Sequence, residues 1–226
     1  MNEVGLRKEL DQWELKNAIK KFHIYYEENR LWEDAKWLGV PMWKLPFDIM
    51  IFQELIFKIR PNIIIETGTG KGGSALFYAS IQKLMNIADR NVITIDIEDK
   101  TNVNLTNYMD LNIVKLNGSS LNPNIHEIID LYVLPELTTM VFLDSWHSYD
   151  HVLEEMEIYS EYVSKGSYMI VEDSHVNGHP IVWKWGKGPY EAIDEFRSRH
   201  DNFEIDKTCE RNLITFNPNG YLRRIK

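Results

Sequence analysis

The chain of 226 residues has one cysteine, a shortage of basic residues and no long apolar run, and each absence excludes a class of site. Because Cys209 is the single cysteine, an internal disulfide bond and a metal site built from several thiolates are both excluded. Any bound metal ion is therefore expected to be held by carboxylates, imidazoles or water.

Lysine and arginine number 25 against 34 aspartates and glutamates, which gives a formal net charge of −9. Binding to a phosphate backbone needs a surface rich in basic residues, so we expect no nucleic-acid partner. The longest apolar runs, such as the one around residues 62–65, are far shorter than the roughly 20 residues that cross a bilayer. The charged N-terminus lacks the apolar segment of a signal peptide, so the sequence favours a cytoplasmic protein without a membrane span.

The hydrophobic pattern changes along the chain. Residues 1 to about 40 carry apolar side chains at roughly helical spacing, with charges between them. Pro41 and Pro46 then interrupt this pattern. We predict that residues 1–46 form a helical extension, acting as a substrate lid or an oligomer contact, and that residues 47–226 form the main domain. The tryptophan-rich part of the extension offers surface that a second copy can cover, so we expect a homo-oligomer.

The main domain alternates apolar strands with helices. This alternation predicts an α/β, Rossmann-like fold with a mostly parallel sheet and helices on both faces. The closing segments 202–209 and 212–224 predict a C-terminal antiparallel hairpin. The five earlier strands are expected within residues 62–73, 91–99, 112–120, 138–148 and 167–175.

A glycine-rich turn follows the first of these strands, where Gly68, Gly70 and Gly73 form the pattern G-x-G-x-x-G. Glycines allow a tight turn and a close approach of ligand to backbone, which predicts a nucleotide-type cofactor. Asp96 ends the second strand at the spacing of a ribose-hydroxyl acceptor, although a capping role stays open. NAD and S-adenosylmethionine both carry this ribose. Glu66 favours S-adenosylmethionine, because an acid there can face an ammonium group but sits badly beside a pyrophosphate.

Carboxylates also end the fourth and fifth strands, at Asp144 and at Glu172 with Asp173. If these strands are neighbours, the three carboxylates converge and need a cation or protons to offset their repulsion. Oxygen ligands select Mg²⁺, Ca²⁺ or Mn²⁺, although capping a helix or pairing with a lysine is an alternative role for one or two of them. His147 follows Asp144 by three residues and is either a general base or a structural histidine.

Other polar and aromatic residues near the strand ends are weaker candidates. Ser119 and Ser120 either line an adenine or cap their loop. Trp183 and Trp185 either form an apolar wall for a substrate or pack within their loop, and Tyr149 is a similar candidate.

At these residues the chain resembles the cephalosporin hydroxylase family, which also includes rhamnosyl O-methyltransferases. The resemblance begins at about residue 39 and includes the segments ETGTGKGGSALFYAS, VITIDI, NGSS, LDSWHSYDHVLEE and GSYMIVED. It implies a class I methyltransferase fold that binds S-adenosylmethionine and a divalent metal ion, Mg²⁺ or Mn²⁺.

The resemblance also implies roles for single residues. Asp144, Glu172 and Asp173 match magnesium-ligand positions, and His147 matches the position of a base. Together, the turn, the strand ends and the resemblance predict a cofactor-binding set of Glu66, Thr67, Gly68, Gly70, Gly73, Ser74, Asp96, Ser119, Ser120 and Asp144.

The predicted function is O-methylation of a small-molecule or glycan acceptor, at a hydroxyl of a sugar, a glycosylated natural product or a surface polysaccharide. Two alternatives stay open. One is an oxygenase whose iron is held by His147, His175 and either Asp144 or Asp173. The other is a non-catalytic partner subunit that keeps the fold.

Overall fold

The computed structural model describes residues 11–101 and 103–226, and its N-terminal part combines a helix with a small hairpin. Helix α1 (Gln12–Glu28) begins at a capping box, in which Asp11 accepts from the Glu14 amide at 2.7 Å. A 3₁₀ turn (Leu31–Asp34) and two antiparallel strands, β1 (Lys36–Trp37) and β2 (Val40–Pro41), follow. The helical pattern predicted up to about residue 40 therefore ends earlier, and its part in residues 1–10 lies outside the described residues.

The rest of the chain forms a seven-stranded sheet with helices on both faces, as predicted. Its strands are β3 (Ile63–Thr67), β4 (Asn91–Asp96), β5 (Ile113–Asn117), β6 (Thr139–Leu143), β7 (Tyr168–Val171), β8 (Phe203–Ile205) and β9 (Tyr221–Arg224). The helices are α2 (Pro46–Ile59), α3 (Gly73–Leu84), α4 (Pro123–Asp130), α5 (Tyr149–Tyr159) and α6 (Pro189–Arg199). The strand order is β5-β4-β3-β6-β7-β9-β8, and β9 runs antiparallel to both of its neighbours.

Alternate residues of each central strand enter two separate cores. Ile64 of β3 and Phe142 of β6 pack with α2 and α3, whereas Ile65 and Val141 face α4, α5 and α6. Because both faces are covered, β3 and β6 are buried throughout, which explains the apolar runs 63–65 and 140–143 within them.

The C-terminal strands are antiparallel, as predicted, but the second is shorter than expected. Residues 212–220 form a loop, because the buried carboxylate of Asp48 binds this segment at several points. It accepts from the Thr215 hydroxyl at 2.5 Å, the Phe216 amide at 2.8 Å and the Tyr221 hydroxyl at 2.8 Å. These bonds replace the strand pairing that the apolar sequence suggested.

The N-terminal hairpin packs directly against the main domain. A Cβ atom on Gly73 would lie 2.4 Å from the carbonyl oxygen of Pro41, so the close approach of β2 to α3 requires glycine there. The Trp37 indole donates to the Ser80 hydroxyl of α3 at 3.1 Å. These contacts cross the predicted boundary at residues 46 and 47. No helix within the described residues is long and apolar enough to cross a membrane.

Candidate functional site

A cavity of about 540 Å³ opens at the carboxyl ends of the parallel strands, which is within the usual range for small-ligand pockets. The predicted residues that line it are Gly68, Gly70, Asp96, Ser119, Ser120, Asp144, His147, Asp173, His175 and Trp185. The predicted residues outside its lining are Glu66, Thr67, Gly73, Ser74, Tyr149, Glu172 and Trp183.

The backbone of the glycine turn is already hydrogen-bonded within the protein. The Gly68 amide donates to the Ile95 carbonyl at 2.8 Å, and the Gly72 amide donates to the Thr69 carbonyl at 2.8 Å. The Gly70 amide donates to the Asp96 carboxylate at 2.9 Å. A dinucleotide pyrophosphate would need such amides free, so the turn is poorly suited to it.

Asp96 both caps the turn and faces the cavity. Its Oδ2 accepts from the Gly70 amide and its Oδ1 accepts from the Glu98 amide at 3.0 Å. Each carboxylate oxygen has two lone pairs, so both retain capacity for a ligand hydroxyl. The capping role and the ribose role are therefore compatible.

Glu66 lies beneath the turn instead of in the cavity wall. Its side chain has no exposed surface, and its Oε2 accepts from the Thr94 hydroxyl at 2.6 Å. Burial raises the pKa of Glu66 to about 7, although Lys44, Ser74 and Thr94 act in the opposite direction. Glu66 therefore lies beneath the turn, and its contact with a ligand ammonium stays a prediction.

Two carboxylates and one imidazole meet in the cavity. Nε2 of His147 lies 3.1 Å from Oδ2 of Asp173 and 3.9 Å from Oδ1 of Asp144. The three residues each offer a ligand atom within 4.8 Å of the others, which is a geometry that can hold a metal ion. Asp173 reaches this position from a left-handed backbone conformation, with φ of 54°, two residues after the end of β7.

Lys44, which the sequence reasoning missed, lies behind this cluster. Its ammonium group is almost fully buried and donates to Asp144 and, at 2.8 Å, to Glu172. Burial alone would lower the pKa of Lys44, but Asp144 and Glu172, followed by Glu66, raise it above its usual value, so it stays charged.

The charges around Lys44 do not balance within the described residues. Burial raises the pKa of both Asp144 and Glu172, with Lys44 opposing the shift and nearby acids adding to it. Glu66, Asp144, Glu172 and Asp173 are four carboxyl groups around one ammonium. A divalent cation beside Asp144 and Asp173 would offset this excess, and hard oxygen ligands suit Mg²⁺ or Mn²⁺.

Another part of the cavity wall is formed by the aromatic rings of His175 and Phe216. His175 stacks on Phe216 with ring centroids 4.1 Å apart, and its Nδ1 lies 3.1 Å from the Phe216 carbonyl oxygen. His23 of α1 packs against both rings. Burial, followed by the charge of His147, lowers the pKa of His175 to about 3, although its bond to the Phe216 carbonyl raises it. His175 is not part of the cluster that can hold a metal, so the two-histidine iron site is not assembled here.

Of the aromatic residues suggested by the sequence, Trp185 lines the cavity, whereas Trp183 and Tyr149 do not. Trp185 donates to the His147 carbonyl at 2.9 Å and so holds the loop that carries this imidazole. Trp183 is 66% exposed, with the Lys20 ammonium 5.1 Å from its ring. Tyr149 lies under the Lys187 ammonium at 5.2 Å.

Glu27, Trp32 and His151 are among the cavity residues that were not found from sequence. Glu27 and Trp32 come from the N-terminal extension, whose helical pattern gave no sign of a ligand role. His151 also lines the cavity, with Nε2 3.0 Å from the Ser145 hydroxyl. The sequence signal for His151 was its position in the first turn of α5, three residues after Ser148, which precedes the helix.

This sheet order, with one reversed strand and a glycine turn tied to an acid at the end of the next strand, defines a class I methyltransferase fold. The family model described as Rhamnosyl O-methyltransferase/CmcI matches residues 29–225. The chain therefore belongs to the rhamnosyl O-methyltransferase/CmcI family, which confirms the resemblance noted in the sequence.

Individual relatives agree with this assignment. The rhamnosyl O-methyltransferase of Mycobacterium tuberculosis is 34% identical over 211 residues, covering 92% of this chain and 85% of that protein. That of Mycobacterium leprae is 34% identical over 213 residues, covering 92% and 91%.

Solved structures share the fold. A CmcI structure described as Mg-SAM has a TM-score of 0.65 at 22% identity, covering 86% of this chain and 78% of that chain. The O-methyltransferase TomG from Streptomyces achromogenes, in complex with SAM, has a TM-score of 0.55 at 14% identity, covering 92% and 90%.

Proposed function

We propose that the chain transfers the methyl group of S-adenosylmethionine to a hydroxyl oxygen of a sugar, with a divalent cation, Mg²⁺ or Mn²⁺, in the site. The charge of the cavity carries this proposal. Its described lining contains five carboxylates (Glu27, Asp96, Glu98, Asp144 and Asp173) and one lysine, Lys100. Such a cavity favours the sulfonium and ammonium groups of the donor and disfavours a pyrophosphate.

The names of relatives support the same chemistry. The mycobacterial relatives are named rhamnosyl O-methyltransferases, and the neighbouring CmcI and TomG structures are described with SAM. A sugar carries adjacent hydroxyls, which suit chelation to a hard cation.

In the proposed donor site, Asp96 accepts from a ribose hydroxyl, and Ser119 and Ser120 border the adenine. Gly68 and Gly70 allow the donor to approach the turn closely. The remaining predicted cofactor residues, Glu66, Thr67, Gly73 and Ser74, support this surface from below.

In the proposed metal site, Asp144 and Asp173 supply ligand oxygens, and the Glu172 oxygen that is free of Lys44 is the third ligand. When bound, the cation lowers the pKa of the acceptor hydroxyl and fixes its direction. Nε2 of His147 then takes the hydroxyl proton while the new O–C bond forms and the S–C bond of the donor breaks, leaving a neutral thioether. Holding both reactants in line supplies much of the rate acceleration.

The test is conversion of S-adenosylmethionine to S-adenosylhomocysteine with methyl glycosides of rhamnose, mannose and glucose as acceptors. We expect turnover in Mg²⁺ and its loss in excess EDTA. His147→Ala is expected to lower the rate by about 10²-fold or more while donor affinity stays within about twofold. His200→Ala, at the residue after α6 and outside the cavity lining, is the matched control. Undiminished turnover in EDTA, or a near-normal rate for His147→Ala, contradicts the proposal.

The same proposal covers the role of the N-terminal extension and the oligomeric state of the chain. Residues 1–46 act as the acceptor lid, and the chain works in the cytoplasm as a homo-oligomer. The stripe of Phe47, Met50 and Phe57 on α2, exposed by 41%, 55% and 63%, favours a second copy as partner. Light scattering of the purified chain tests this: a monomer at micromolar concentration contradicts it.

A further inference from the structure

Three side chains that precede α2 form one wall of the cavity: Glu27, Trp32 and Trp43. Trp43 begins the wall at the glycine turn, where its ring carbons lie 3.6 Å from the position of a Cβ atom on Gly70. Its indole meets that of Trp32 edge to face, with ring centroids 6.0 Å apart. The wall therefore begins at the glycine turn of the proposed donor site and continues from Trp43 to Trp32.

Glu27 stands at the other end of this wall, beside the metal cluster. Burial first, and the charge of Asp173 second, raise the pKa of Glu27, while Trp32 and Arg30 lower it. Arg30 forms its ion pair with Glu33. Glu27 thus presents a half-buried carboxylate to the cavity within the electrostatic reach of Asp173.

The backbone that builds this wall is strained. Trp43 has φ of 49°, a left-handed conformation that bulky residues adopt at a cost. As a result Trp43 lines the cavity, while its neighbour Lys44 turns inward to Asp144 and Glu172. A single turn therefore places one side chain in the cavity wall and the next behind the metal cluster.

The chemistry of the wall selects one class of acceptor. Ring hydroxyls of a pyranose donate to a carboxylate, and its C–H face packs on an indole such as that of Trp32, which lines the cavity although the Arg30 guanidinium lies 5.4 Å from its ring centroid. An anionic acceptor would be repelled by Glu27 and Asp173. A phenol with a single hydroxyl has no adjacent hydroxyl that could donate to Glu27.

We propose that Glu27 and Trp32 form the acceptor subsite and select an uncharged pyranose with adjacent free hydroxyls. Glu27 accepts from a hydroxyl next to the one that is methylated, and Trp32 packs against the apolar face of the ring. This inference rests on the proposed function, because Asp144, His147 and Asp173 fix the place of the reacting hydroxyl.

Binding can be measured without turnover. Protein loaded with S-adenosylhomocysteine and Mg²⁺ is titrated with methyl α-L-rhamnopyranoside, followed by the mannoside and glucoside, and Kd is read by ligand-observed NMR. We expect Glu27→Met to weaken glycoside binding at least tenfold. Glu27→Gln, which keeps one acceptor oxygen, should lie between Glu27→Met and the wild type. Trp32→Ala should also weaken binding at least tenfold.

The matched controls are Glu28→Met, one position along the same helix and exposed, and Trp13→Ala, which is 71% exposed on α1. Both should bind the glycoside within twofold of wild type. Equal glycoside affinity in Glu27→Met and wild type overturns the subsite, whatever Trp32→Ala does to folding.

Calorimetry with S-adenosylhomocysteine on the same samples separates the two proposals. A wild-type protein that binds S-adenosylhomocysteine but none of the three glycosides overturns the subsite alone. A wild-type protein that binds no S-adenosylhomocysteine overturns the proposed function, and the subsite falls with it.

Discussion

Lys44→Met tests the charge balance behind the cavity. The Lys44 side chain is 4% exposed and bonds to two carboxylates, Asp144 and Glu172. Removing one partner of a buried ion pair costs about 3–5 kcal/mol, because the opposite charge stays buried without compensation. Against a typical total stability of about 5–15 kcal/mol, this loss would be large.

The measurement is urea unfolding in EDTA, followed by tryptophan fluorescence, for Lys44→Met and the exposed control Lys16→Met. The control should stay within about 0.5 kcal/mol of wild type. Adding Glu172→Gln to Lys44→Met should recover part of the loss, because it removes one uncompensated carboxylate.

The pH dependence follows from the same charges. Burial raises the pKa of Asp144 and Glu172 in the folded state, so their contribution to stability is present at low pH and is lost as the pH rises. Without Lys44 this loss should be larger, so the variant should be closest to wild type at low pH. A loss below about 1 kcal/mol at pH 8, or a double variant no more stable than Lys44→Met, would refute the reasoning.

Two further predictions concern packing. Burial, followed by the charge of His175, lowers the pKa of His23 from 6.5 to about 4, so its stabilising contribution is present above pH 6.5 and lost as the pH falls through 4. Between pH 8 and pH 5, the unfolding free energy measured in urea should therefore fall by about 2 kcal/mol less for His23→Phe than for wild type. Equal falls in the two proteins would contradict this. Gly73→Ala should lower the unfolding free energy by about 1–3 kcal/mol, because the new Cβ meets the Pro41 carbonyl at 2.4 Å. An unchanged melting temperature would show that β2 can move away freely.

Much of the sheet could be predicted from sequence because its central strands are buried on both faces. Residues 63–65 and 140–143 are short continuous apolar runs, which made these strands recognisable. The sequence predicted that Asp144, Glu172 and Asp173 converge if their strands are neighbours. The strands are neighbours, but the ligand atoms that come together are those of Asp144, His147 and Asp173, while Glu172 pairs with Lys44.

Other features depend on contacts that sequence spacing does not encode. Glu27 reaches the cavity, and Lys44 reaches the carboxylates behind it, only through the packing of the N-terminal segment, about 100 residues or more from the acids they face. The predicted strand over residues 212–216 is absent because the buried Asp48 carboxylate binds Thr215 and Phe216. Helix α4 was missed, although Asn122 and Pro123 carried an N-terminal capping signal.

The binding of S-adenosylmethionine in this cavity can be measured by calorimetric titration of the wild-type chain and Asp96→Ala. We expect one donor molecule per chain, with binding that does not require Mg²⁺, because the proposed ribose acceptor Asp96 is not one of the proposed metal ligands. Losing the proposed hydrogen bonds to the ribose should weaken the Asp96→Ala variant about tenfold, equivalent to roughly 1.4 kcal/mol. Absence of binding to the wild type, or equal affinity for both proteins, would contradict the proposed donor site.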